Sequence, residues 1–353
     1  RAGAPGAPRG STRPRGGRGT YSVDDRPRPP PAPSRPASAR LGIQVYLFAG
    51  LAVMAVAPVL VLGAREHARW HQVQVDNADQ QHVIAARAVA GELELIVRAN
   101  ASALEEIADR IRAIDRVEPV SAAAILSTVR TRNPTHTVVV TDEHFISVAA
   151  APALIGGAPA AGKYYGDRAY TRESLRTGKV AISDVEVGHI TGVPNVHIGL
   201  AIRRASGELL GVIGAALDLA AIKAAVEHAA TAIPGLRVVV TDSSGHVVVH
   251  PDQGHERAMA DLRQVPLFAA VPGDAPVIRA LPDDADVPAR AAVVTMAAFG
   301  QRWTVSVLRP QAEIEREAAA AGGAALGVGI GVLIVALLAS AALAAWLAGP
   351  IVR

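Results

Sequence analysis

Between residues 163 and 220 the chain gathers the side chains best suited to hold a small polar molecule. Tyr164, Tyr165, Arg168 and Tyr170 lie close together, Asp184 follows, and Asn195, His197 and Asp218 stand in the apolar runs beyond. A guanidinium grips a carboxylate through paired hydrogen bonds, a carboxylate accepts from an ammonium, and tyrosine offers an apolar wall tipped with a hydroxyl. This is the chemistry of binding. The chain carries no Walker phosphate loop, G-x-S-x-G elbow or H-E-x-x-H pair, so no catalytic residue and no cofactor is expected.

The elements that must position these groups follow from periodicity. Residues 170–177 predict a short helix with Asp167 as its N-cap and Gly178 closing its last turn. Arg168 then falls in the first turn, where a cation opposes the helix dipole, so a partner other than the helix must hold it. Strand side chains alternate between faces. Over 194–202 one face carries Asn195, His197, Gly199 and Ala201, and over 209–219 one face carries Val212, Gly214, Ala216 and Asp218, while larger aliphatic residues lie opposite. The turn at 204–208 joins the two strands as a hairpin. One side forms a core, and the other is small and polar. Such a face either meets water or lines a hollow. Asp218, at the end of an apolar run, favours the hollow, because burying an unpaired carboxylate is costly.

The 353 residues include no cysteine, which excludes disulfides and thiolate chemistry, and aromatic residues are few, so the cores must be aliphatic. The net charge of +3 is local in origin, since residues 1–40 hold nine Arg against two Asp. That segment, rich in Pro, Gly, Arg and Ser, reads as a disordered tail. With Tyr21 as its one aromatic it reports orientation at a membrane, and no nucleic-acid partner is expected. Residues 41–63 are apolar apart from Gln44, and 323–348 carry no charge; each is long enough to cross a ~30 Å hydrocarbon layer. The arginines before the first span place both termini in the cytoplasm of a multi-pass inner-membrane protein, with 64–322 outside.

Outside, residues 64–118 predict one long helix. Leu93, Ile96, Asn100, Leu104, Ile107, Ile111 and Ile114 form a single stripe that needs a sheet, or the same helix of a second subunit, to lie on. A shorter helix is expected over 121–132. The run Val-Val-Val-Thr-Asp at 138–142 recurs letter for letter at 238–242, each copy followed by a turn and an apolar strand, at 145–149 and 247–250. Two tandem α+β modules are inferred, 119–220 and 221–309, joined by a helix over 220–232. The second has a long Pro- and Asp-rich connection over 251–288, strands near 291–297 and 303–308, and no counterpart of the Tyr/Arg cluster. His250, Asp252, His255 and Glu256 read as a solvated loop, as do His67 and His71 on their helix, and no metal is expected. Pro310 is placed at the first position of a last helix, 310–322, that feeds the second span.

The run Tyr-Gly-Asp-Arg-Ala-Tyr at 165–170, with Gly178 and Ser183-Asp184 after it, and Gly-Val-Ile-Gly at 211–214 leading to Leu-Asp-Leu at 217–219, resemble the double-Cache (tandem PAS-like) extracellular sensors of bacterial transmembrane receptors. The likeness covers 65–308, and Gly-Pro-Ile at 349–351 resembles the opening of a cytoplasmic HAMP helix. The resemblance implies that Arg168 holds a ligand carboxylate and Asp218 its amine. Tyr170-Thr171 stands where amino-acid-sensing members have Trp-Tyr, which separates this chain from that pattern. The implied protein is a homodimeric sensor of a small polar metabolite, an amino acid or carboxylate, bound in the membrane-distal module. A histidine kinase of a two-component system is the first expectation for its output, a diguanylate cyclase or chemoreceptor the alternative, and a membrane-anchored interaction module without a ligand the second class.

Overall fold

The computed structural model describes residues 43–130, 137–155, 157–217, 219–230 and 234–352; the N-terminal tail and Asp218 lie outside them. The fold is α+β. Helix α1 (Ile43–Ile114) is unbroken for 72 residues and is followed by α2 (Pro119–Arg130). Next come β1 (Thr137–Thr141), β2 (Ser147–Ala151), the small hairpin β3 (Leu154–Ile155) and β4 (Ala158–Pro159), and α3 (Ala169–Thr177). After α3 lie β5 (Ala181–Ile182), the hairpin β6 (Glu186–Val187) and β7 (Pro194–Asn195), then β8 (His197–Arg203) and β9 (Leu209–Ala216). Helix α4 (Leu219–Ala230) leads to β10 (Arg237–Thr241), β11 (Val247–Val249), α5 (Gln253–Ala258) and a 3-10 turn, Pro266–Phe268. Strands β12 (Val277–Pro282), β13 (Pro288–Ala298) and β14 (Gln301–Pro310) precede the final helix α6 (Gln311–Val352).

The two main sheets share one plan. Their strand orders are β2-β1-β9-β8-β5 and β11-β10-β14-β13-β12, antiparallel throughout. The repeated pentapeptide is a structural repeat down to its irregularities. Register shifts between Val140 and Thr141 in one copy and between Val240 and Thr241 in the other. Asp142 Oδ1 accepts from the amides of His144 and Ile146, and Asp242 Oδ1 from those of Ser244 and His246. A short carboxylate folding the chain back on its own amides is why an aspartate stands at both places. It also moves one boundary. Phe145, expected in a strand, sits in the turn with φ 63°, and β2 starts at Ser147.

Helix α1 packs across both sheets, touching β8, β9, β13 and β14, and lies alongside α4 and α6. Leu93, Val97, Leu104, Ile107 and Ile111 are essentially inaccessible, while Ile114, at the end of the expected stripe, is exposed. Each such aliphatic contributes about 1.5–3 kcal/mol when fully buried, so the sheets rather than intrinsic propensity hold the helix. Three further expectations shift. Helix α2 begins at Pro119, Pro310 ends β14 instead of opening α6, and the Pro- and Asp-rich connection folds into α5, the 3-10 turn and β12. Among the described residues one helical stretch, Phe48–Ile114, is long and apolar enough to cross a membrane by length and composition, and none of its apolar window is buried. Gly327–Leu343 is a shorter apolar stretch of α6.

Candidate functional site

The site is built where α3 leans on the first sheet. Gly178 closes the helix with φ 67°, its amide donating to the Ser174 carbonyl, as the sequence leads one to expect. Asp167 is not the cap. Arg168 occupies that position with extended backbone and no side-chain cap, and the Asp167 carboxylate instead faces His189 at 3.4 Å. The Tyr170 ring lies against the sheet because two glycines admit it. A Cβ on Gly199 would come within 2.2 Å of the ring and one on Gly214 within 2.7 Å of the hydroxyl. The small face therefore exists first to seat Tyr170, and a hollow remains beside it. The His197 ring stacks on Tyr170 with centroids 5.8 Å apart.

Arg168 is 7% exposed, and the partner it needs is Glu186 at the start of β6, 3.1 Å from Nη1, with the Val187 carbonyl accepting from the same nitrogen at 3.1 Å. The other Glu186 oxygen lies 3.2 Å from His197 Nδ1. Burial pushes the Glu186 carboxyl up, yet His197 and Arg168 more than offset it, so Glu186 ends below the usual range and carries its charge. Burial, then the nearby Tyr165 and Glu186, pushes the Tyr170 phenol above its usual range. Burial raises Tyr165 as well. Both tyrosines are therefore neutral hydroxyl donors.

Tyr165, Arg168, Tyr170 and His197 line a cavity of about 40 Å³ whose walls also include Thr137, His189, Thr191, Asn195, Gly214 and Ala216. That volume admits a few water molecules. Gly188, His189, Ile190 and Thr191 form one edge of the hollow. Arg168 Nη2 and Thr137 Oγ1 are buried without a hydrogen-bond partner, and the facing His197 Nδ1 and Glu186 Oε1 have none beyond their own 3.2 Å contact. Buried polar atoms are rarely left so, and a polar guest would satisfy them.

Of the residues singled out from sequence, Tyr165, Arg168, Tyr170, Asn195 and His197 meet at this cavity. Tyr164 does not line it: its ring packs edge-on against Phe145 and its hydroxyl lies over Gly166, half exposed. Asp184 is also elsewhere, bonded to Ser243 and Ser244 of the second module. Asp218 lies outside the described residues. Glu186, His189, Thr137 and Thr191 were not legible as site residues. Asp184 and Glu186 are two apart, a spacing that puts both on one face of a strand, but β6 begins only at Glu186 and the two carboxylates part.

In the second module the histidines expected in a solvated loop are partly buried. The His250 and His255 rings lie tilted against each other with centroids 4.4 Å apart, and Asp284 Oδ2 lies 3.4 and 3.2 Å from their Nε2 atoms. His250 Nδ1 accepts from the Asp252 amide, which leaves its ring proton on Nε2, turned toward Asp284. One ligand-capable atom from each of His250, His255 and Asp284 lies within 4.8 Å of the other two. Glu256 accepts from Lys223 and from the His250 amide.

Two tandem sheets of this order behind one long helix are a fold that the chain shares with extracellular ligand-binding and sensory domains of chemoreceptors. No family model and no curated protein matches the chain. Among solved structures it is similar to the periplasmic sensory domain of a Campylobacter jejuni chemoreceptor, at a TM-score of 0.54 and 13% identity, covering 68% of this chain and 98% of that one. It is similar also to the ligand-binding domain of the Pseudomonas fluorescens chemoreceptor CtaA in complex with L-isoleucine, at 0.53 and 14%, covering 69% and 96%. A third is an extracellular ligand binding receptor from Desulfohalobium retbaense, at 0.52 and 14%, where the match covers 65% of this chain and only 40% of that one. At these identities the likeness is one of fold.

Proposed function

We propose that the chain is the extracytoplasmic sensing and transmembrane-signalling part of a bacterial receptor, and that the cavity beneath α3 binds a small polar metabolite, an amino acid or carboxylate. The single observation that carries this reading is the hollow whose walls include Arg168, with one buried guanidinium nitrogen left without a partner, and His197, whose Nδ1 has Glu186 alone. The fold agrees, and two of the similar structures are named as ligand-binding domains or receptors. In this reading 41–63 and 323–348 both span the membrane, the first module is distal, both termini are cytoplasmic, and the receptor works as a homodimer. A histidine kinase is the preferred output after a HAMP helix, with a diguanylate cyclase or chemoreceptor as the alternative.

Binding moves such a receptor only by the difference in ligand affinity between its two arrangements. The test is a thermal-shift and calorimetric titration of the chain in nanodiscs against the L-amino acids and small carboxylates. A ligand is expected whose binding is lost in Arg168→Ala. A ligand that binds Arg168→Ala as well as the unaltered chain would place recognition elsewhere.

A further inference from the structure

We propose that residues 183–187 are a strap through which the state of the first-module cavity reaches the second module; this rests on reading that cavity as the sensory site. One end of the segment belongs to the cavity. Glu186 holds Arg168 and His197, and the Val187 carbonyl accepts from Arg168. The other end belongs to the second module. The Val185 amide donates to Asp242 Oδ2 at 2.9 Å, Asp184 Oδ1 accepts from the Ser243 amide at 3.2 Å and hydroxyl at 2.6 Å, and Asp184 Oδ2 accepts from the Ser244 hydroxyl at 2.7 Å. Hydrogen bonds to a charged group are the stronger kind.

The turn that receives the strap is the second copy of the repeated pentapeptide. Asp142 and Asp242 fold their own turns alike, but the second oxygen of Asp242 takes up Val185. From that turn the path is short. β10 pairs with β14 from Thr241↔Thr304 to Arg237↔Leu308, and β14 runs without a break into α6. A guest that pulls Arg168 or His197 away from Glu186 shifts the strap at Glu186, and the adjoining bonds at Val185 and Asp184 pass that shift to β10. Rigid packed elements carry such displacements because they have few ways to absorb them.

The test needs no ligand. Hydrogen exchange is followed in the full chain in nanodiscs for Glu186→Gln, for Ser243→Ala/Ser244→Ala, for the triple variant and for Asp184→Asn. Glu186→Gln is expected to speed exchange at 242–247 by about tenfold, and the same substitution on the Ser243→Ala/Ser244→Ala background, where only the Val185 and Ser243 amide bonds remain, to add less there. Asp184→Asn leaves the cavity walls untouched and is expected to speed exchange on both sides of the strap, at 187–188 and at 243–246. Exchange at 242–247 that is unchanged in Glu186→Gln, or equally raised with the serines removed, overturns the strap, as does an Asp184→Asn effect confined to one side. Failure to find a ligand counts against the sensory reading alone, and a silent turn counts against the strap alone.

Discussion

The two sheets follow the same strand order yet treat the same position oppositely. In the first, Val139 pairs with Gly214, which pairs with Gly199; in the second, Val239 pairs with Ser306, which pairs with Val293. One row over, Thr137, Ala216 and His197 correspond to Arg237, Leu308 and Ala291. Where the first sheet is shallow, it receives the Tyr170 ring and keeps a polar hollow. Where the second is filled by Val293 and Leu308, Leu267 and Phe268 close over it in a dry cluster. The lesson is that this sheet opens a hollow by subtraction: glycine and alanine make room, and Arg168 and Glu186 bring charge to its edge.

The comparison can be broken at several points, the largest effect first. Phe268→Ala should destabilise the protein by about 3–5 kcal/mol in denaturant unfolding, because it empties the plug of the second sheet, while leaving ligand binding in the first intact. The two modules should also differ toward acid. His82, on the α1 face toward the second module, is buried with neither ring nitrogen hydrogen-bonded, and burial lowers its pKa from 6.5 to about 4, against the pull of Asp79 and with help from Arg309 and Arg290. The neutral ring is the folded form. Stability tied to it is therefore full above pH 6.5 and is lost as pH falls toward 4, by up to roughly 3 kcal/mol, and His82→Leu should flatten that slope in pH-dependent unfolding. Glu186, lowered in the first module, behaves otherwise: its contribution is present above the ordinary glutamate value of 4.5 and fades only as pH drops below it.

Arg168→Met should cost roughly 2–3 kcal/mol, since Glu186 is left largely buried without its cation, and adding Glu186→Gln should recover part of the loss in a double-mutant cycle. Gly199→Ala should cost roughly 1–2 kcal/mol by forcing Tyr170 off the sheet, whereas Val293, at the equivalent place in the second sheet, already carries a larger side chain. Thermal unfolding of the pair Gly199→Ala and Val293→Ala sharpens the contrast, the second losing only packing.

Much of this was readable from residues alone. The pentapeptide repeat announced the paired modules, and the three- and four-residue stripe announced α1, because both signals come from the chain's own periodicity. Alternation found the small face and, with it, Asn195 and His197 at the cavity. What alternation misses is anything set by where a two-residue strand begins. Glu186 and Asp184 parted for that reason, and Asp167 lost the cap to Arg168 because the pull of Glu186 on the guanidinium is tertiary. The plug at Leu267 and Phe268 lay in a connection whose prolines and aspartates read as loop.

The most direct measurement is a calorimetric titration of amino acids and small carboxylates into the chain and into Ala216→Leu, which gives the first sheet the side chain that Leu308 gives the second. The account predicts binding to the unaltered chain and none to Ala216→Leu, with the fold retained by circular dichroism. A ligand held equally well by both would show that the hollow beneath Tyr170 is not where this protein meets its guest.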